Sequence, residues 1–111
     1  FIGRFQGVGF KLAEMKLKLE AAELLTFKAA WKTDQGTATD TDYAMAKLFT
    51  TETLAFIADE AIQIHGATGV SQWTPLARMY TSQRTLRLAD GPDEVHHMVV
   101  GRAELQKYDL W

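Results

Sequence analysis

The 111-residue chain contains no cysteine and only two prolines, Pro75 and Pro92. Without cysteine it has no disulfide, no thiolate nucleophile and none of the usual structural zinc sites. An excess of either charge is also missing. Twelve Lys and Arg stand against 14 Asp and Glu, a net charge of -2. That argues against a nucleic-acid clamp, which needs a basic face to displace counterions. No apolar run approaches the roughly 20 residues of a membrane span, and no basic-then-apolar leader marks a targeting segment. There is no convincing strand alternation, internal repeat or low-complexity tract. No initiator Met precedes Phe1-Ile2-Gly3, so the chain reads as a mature or cut piece of something larger.

What is present suits one helical domain: 47% hydrophobic residues in a length of ordinary domain size. Phe5, Val8, Leu12, Met15, Leu19 and Ala22 alternate steps of three and four, one face of a helix from about Phe5 to Trp31. Phe10, Leu17, Leu24 and Trp31 form a second stripe on another face, and two stripes imply packing from two sides. So small a domain supplies little cover, so the second face is expected to meet another subunit or a further segment. The lysines between the stripes read as a solvated face, with Glu14 and Lys18 as an i,i+4 pair.

The polar stretch Thr33–Asp40 ends this helix, and Asp40 or Thr41 is placed to cap the next, about Tyr43 to His65. Gly66 is expected as a left-handed C-cap. A loop follows from Ala67 to Thr74, and Pro75 opens a third helix to about Leu88. Asp90-Gly91-Pro92 breaks it and Pro92 starts a fourth, with Asp93 and Glu94 favourably placed in its first turn. Val95, Met98, Val99 and Leu105 form its expected apolar face, and Trp31, Trp73 and Trp111 read as packing residues. The fold class is all-α, an antiparallel four-helix bundle.

Three places carry candidate chemistry. Gln63-Ile64-His65-Gly66-Ala67-Thr68-Gly69 is either a helix end with a turn or a loop whose backbone approaches phosphate oxygens. Asp90, Asp93 and Glu94 are either helix-capping carboxylates or a cluster in which one faces a cleft as a general base. Glu94 and His97 have the Glu-x-x-His spacing of di-iron bundles, but a second such pair is lacking, so no metal is assigned. His96 and His97 point about 100° apart on a helix, which does not suit a shared ligand.

Together these pieces resemble the C-terminal domain of flavin-dependent acyl-CoA dehydrogenases, over nearly the whole chain. FQGVGFKLAEMKLKLEAAELLTFKAAWKTDQG is similar to the second long helix of that family's C-terminal bundle. AIQIHGATGV resembles its flavin-binding Gln-x-x-Gly-Gly-x-Gly segment, followed at the usual interval by Pro75. LRLADGPDEVHH occupies the place of its Tyr-Glu-Gly-Thr-Ser-Glu active-site turn. The resemblance implies FAD as cofactor and an acyl-CoA thioester as substrate. Gln63, Ile64, His65, Gly66 and Ala67 would contact the flavin diphosphate and adenine side, across a subunit interface. Phe5 and Gln6 would lie near the adenine end, and Pro92, Asp93 and Glu94 against the flavin. Asp90 aligns with the catalytic carboxylate, and Gly91 with the residue whose amide holds the thioester carbonyl.

The chain departs from the family pattern at several points. Ala67 replaces the second glycine, Thr81 stands where Arg is common, and Pro92-Asp93 replaces Thr-Ser. The base is Asp rather than Glu, as in a subgroup of the family, so backbone or substrate must come closer to stay within reach. The implied reaction is α,β-dehydrogenation: Asp90 removes the α-proton while a β-hydride passes to the flavin. The resemblance further implies a homo-oligomer, dimeric or tetrameric, and an electron-transfer acceptor. The implied compartment is the cytoplasm of a bacterium or a eukaryotic mitochondrion or peroxisome. The family's N-terminal helical domain, middle β domain and first bundle helix have no counterpart here, so the chain alone is expected to be inactive. The alternative is a stand-alone helical oligomerisation module with vestigial flavin motifs.

Overall fold

The computed structural model describes residues 1–111 and contains four α-helices and no strand. The helices are α1 (Gln6–Asp34), α2 (Asp40–His65), α3 (Leu76–Arg84) and α4 (Asp93–Gln106). Short 3-10 turns at Ile2–Arg4, Gly66–Val70 and Thr85–Arg87 supplement them. The helix α2 is the hub, packing against each of the other three. It runs antiparallel to α1, as two ion pairs show: Lys11 reaches Glu60 at one end, and Lys32 lies 2.8 Å from Asp42 at the other.

Small residues line the packed faces. Ala22 and Ala29 of α1 are buried in the α1–α2 seam, while Ala44 and Ala58 are buried on α2, Ala58 beside Leu76 and Met79 of α3, and Leu48 completes the buried apolar set. The first stripe of α1 lies partly in this seam, through Val8, Met15 and Ala22. Its second stripe stays bare: Phe10, Leu17, Leu24 and Trp31 are each more than 60% exposed. The i,i+4 pair of Glu14 and Lys18 forms at 3.9 Å, but the lysine face is not wholly solvated. Lys11 crosses to α2, and the Lys18 ammonium sits 4.9 Å from the centre of the Phe56 ring.

The helix ends differ from expectation in four ways. Thr39, not Asp40 or Thr41, caps α2, because Asp42 three residues on completes a reciprocal capping box. Gly66 has positive φ as expected, but its ψ of -143° lies outside the left-handed helical region, and residues 66–70 wind into a 3-10 turn instead of an open loop. Pro75 precedes α3 as its N-cap, and the α-helical part stops at Arg84. On α4 the inward residues are Asp93, His96, Val99, Val100 and Ala103, while Val95 and Met98 face outward. The tryptophans correct the packing expectation most: Trp31, Trp73 and Trp111 are all more than 60% exposed, although the Arg102 guanidinium of α4 lies 5.6 Å from the centre of the Trp111 ring.

Candidate functional site

The Asp90–Pro92 segment forms a tight turn between the end of the third helical segment and α4. Asp90 has φ +55° and Gly91 φ +96°, two consecutive residues in territory that side-chain-bearing residues rarely adopt. Asp is among the few that tolerate it. Gly91 has a second reason to be glycine: a Cβ there would stand 2.7 Å from the His96 Nε2. The His96 ring thus closes the turn on the α4 side, with its Nε2 buried and unpartnered.

Lys47 of α2 also holds the turn, through its carbonyls. Its ammonium donates to the carbonyls of Ala89, Asp90 and Gly91, at 3.2 Å for Asp90 and 2.6 Å for Gly91. Asp90 is therefore fixed through its main chain, and its exposed carboxylate takes part in no ion pair or hydrogen bond. Asp93 is different. It is buried, and its Oδ2 accepts from Arg87 Nε at 2.6 Å, which raises the Arg87 guanidinium pKa further above its ordinary value. Glu94 is exposed. Of the three carboxylates at this helix start, Asp93 is the one with its charge compensated, leaving Asp90 and Glu94 available for chemistry.

The other candidate cluster is assembled at the far end of α2. Gln63, His65, Gly66 and Ala67 are exposed there and Ile64 is half-buried. The His65 Nδ1 donates to the Ala61 carbonyl at 2.8 Å, which leaves Nε2 free to meet a ligand. Gly66 is open, with nothing within 4 Å of where a Cβ would be. Gly69 is the reverse case: a Cβ would lie 2.6 Å from the Ile62 carbonyl, so this glycine serves packing. The antiparallel α1–α2 pairing brings Phe5 and Gln6, both exposed, to this same end, beyond the Lys11–Glu60 contact.

The two clusters do not meet. Lys47, which grips the Asp90 turn, and Gln63 are 16 residues apart on one helix, roughly 24 Å at 1.5 Å per residue. Phe5, Gln6 and Gln63–Ala67 form one group; Asp90, Gly91, Pro92, Asp93 and Glu94 form the other. Lys47, Arg87 and His96 escaped the sequence reading as parts of this turn. Lys47 did leave a signal, as a lone charge inside the apolar run Ala44-Met45-Ala46-Lys47-Leu48-Phe49, where a cation needs a partner.

Comparison with known proteins gives consistent matches. The family model for the C-terminal domain of acyl-CoA dehydrogenases matches residues 1–105. The rat acyl-CoA dehydrogenase family member 11 (Rattus norvegicus) is 47% identical over 97 residues, covering 86% of this chain and 12% of that protein. The butyryl-CoA dehydrogenase structure from Megasphaera elsdenii superposes with a TM-score of 0.91 at 38% identity, over 94% of this chain and 27% of that one. The FAD complex of PigA superposes at 0.87 with 31% identity, over 98% of this chain and 27% of that one. The chain thus spans about an eighth of the rat relative's length.

Proposed function

The chain belongs to the acyl-CoA dehydrogenase family, matching its C-terminal domain, and from that premise we propose that it serves a FAD-dependent enzyme that desaturates an acyl-CoA thioester. The observation that carries this reading is the Asp90 carboxylate, unpaired and exposed on a turn fixed through its main chain. A general base must hold its oxygen within hydrogen-bond reach of the proton it takes, and a clamped turn with a free carboxylate meets both needs. Asp90 accepts the α-proton of the thioester, and the Gly91 amide bonds the thioester carbonyl and stabilises the developing enolate charge.

The residues at the far end of α2 suit a dinucleotide diphosphate. Gln63 and His65 offer free polar groups, Gly66 leaves its backbone open, and the neighbouring Glu60 carboxylate is already paired with Lys11. Bound FAD would supply the acceptor for the β-hydride. The roughly 24 Å along α2 from Gln63 to Lys47, which grips the Asp90 turn, favours two different cofactor copies in a homo-oligomer, each domain lending its diphosphate cluster to a neighbour's flavin. An electron-transfer acceptor would then reoxidise the flavin.

The test is single-turnover flavin reduction in the flavin-loaded full-length protein. Asp90→Asn keeps the shape of the turn but removes the base, and should slow reduction by roughly a hundredfold or more with FAD retained. Glu94→Gln should cost far less. Reduction that survives Asp90→Asn and collapses in Glu94→Gln would transfer the role to Glu94.

A further inference from the structure

We propose that Lys47 is a positioning residue whose ammonium aims the backbone amides of Asp90 and Gly91 at the substrate carbonyl. The proposal rests on reading this turn as the reacting site. Lys47 donates to three successive carbonyls, those of Ala89, Asp90 and Gly91. A lysine ammonium has three N–H donors and no lone pair, so this one engages three acceptors with its three protons. None of those carbonyls receives a backbone amide, so Lys47 is what satisfies them. Three consecutive carbonyls do not converge in a strand, where they alternate. Here the positive φ of Asp90 and Gly91 turns them to one side.

The consequence follows from peptide planarity. In a trans peptide the N–H points opposite to the C=O of the same unit. The Ala89 and Asp90 carbonyls point at Lys47, so the amides of Asp90 and Gly91 point away from it. Neither amide donates to any backbone carbonyl in the chain. Both donors are therefore left without a backbone acceptor on the side of the turn away from Lys47, and such preorganised donors stabilise charge developing on an oxygen. Lys47 is itself held firmly, two turns into α2, with its carbonyl accepting from the Thr51 hydroxyl at 2.8 Å and Leu48 buried beside it. The His96 ring stands where a side chain on Gly91 would begin, so the position is confined to glycine.

The experiment compares wild type, Lys47→Met and Asp90→Asn in the flavin-loaded full-length protein. The probe is an acyl-CoA with no α-hydrogen, carbon-13 labelled at the thioester carbonyl, observed by infrared difference spectroscopy. In wild type the bound carbonyl stretch should move to lower frequency. Asp90→Asn should retain that shift and Lys47→Met should lose most of it. With a reactive substrate at saturation, Lys47→Met should also reduce flavin on the order of tenfold to a hundredfold more slowly, as expected for misaimed donors. Should Lys47→Met not hold flavin, Lys47→Ala supplies the same measurement, with 1-propylammonium restoring the shift and 1-propanol failing to. An unchanged carbonyl frequency in the Lys47 variants overturns the proposal, whatever the rate does. If Asp90→Asn leaves reduction fast while Lys47→Met still abolishes the shift, the base assignment falls and the positioning role stands.

Discussion

Single residues decide where these helices begin, and Asp42 is the clearest case. Its carboxylate accepts from Lys32 Nζ at 2.8 Å and from the Thr39 amide and hydroxyl at 2.9 and 2.8 Å. The Lys32 ammonium first, and then the Thr39 donors, hold its pKa down at about 2. A carboxylate whose folded pKa lies below its unfolded value of about 3.9 adds stability above that unfolded value. The contribution is lost as pH falls through the folded pKa, here between about pH 4 and pH 2. Asp42→Asn should therefore melt below wild type at pH 7, and the gap should close as pH approaches 2. Circular-dichroism melts across that range check it, and a gap independent of pH would show that the charge is irrelevant. Thr39→Ala should cost about 1 kcal/mol at neutral pH as an ordinary lost cap. Sequence spacing pointed to Asp40 or Thr41 as the cap, within a run from Thr39 to Asp42 whose four residues are all of capping type. The reciprocal box between Thr39 and Asp42, reinforced by the reach of Lys32 across the loop, selects the pair that acts, and the Lys32 contact is not contained in spacing along the chain.

At the scale of elements, α2 separates two kinds of end. Its N-terminal half carries Lys47 toward the Asp90 turn, and its C-terminus presents the Gln63–Ala67 cluster. The long helices were legible because their apolar residues recur over many turns, and the break at Asp90-Gly91-Pro92 because Gly and Pro leave so little choice. The face of α4 was not legible. Val95, Met98 and Leu105 are as apolar as Val99 and Val100, and packing against α2 selects the latter together with His96 and Ala103. The two glycines after α2 looked alike in sequence, yet Gly69 packs on Ile62 while Gly66 is open. That contrast makes the ligand role of this end testable. Gln63 is exposed and makes no side-chain contact in the chain that a hydrogen bond would mark, so Gln63→Ala should leave stability within about 0.5 kcal/mol, as surface changes do. In the full-length protein the same change should weaken FAD binding by roughly 1 kcal/mol, about fivefold. Gly66→Val should lower both, since φ of +59° strains any side-chain-bearing residue. Unaltered flavin affinity in titrations of both variants would place the diphosphate elsewhere.

The molecule as a whole is long and thinly covered. It extends 52 × 29 × 26 Å with a radius of gyration of 17.0 Å, against about 13 Å for a compact domain of this length. Its accessible surface of 7961 Å² exceeds the roughly 6,200 Å² of a typical compact monomer of 12.5 kDa. The excess exceeds the ~800 Å² that each partner buries in a standard interface. Much of it is the outer ridge of α1, where Phe10, Leu17, Leu24, Phe27 and Trp31 are 62–72% exposed. A contiguous apolar ridge of this kind marks an interaction surface. In the chain by itself, the partner always available is a second copy, so this chain should self-associate through α1. Sedimentation at roughly tens of micromolar should give an average mass above the monomer that rises with concentration, as mass action requires. Leu17→Glu should shift it toward monomer without unfolding, because Leu17 is 72% exposed and its replacement disturbs little packing within the chain. Leu19→Glu, at 39% exposure nearer the α2 seam, should weaken folding as well as assembly. A wild-type chain that stays a folded monomer across this range would exclude α1 as a self-association surface.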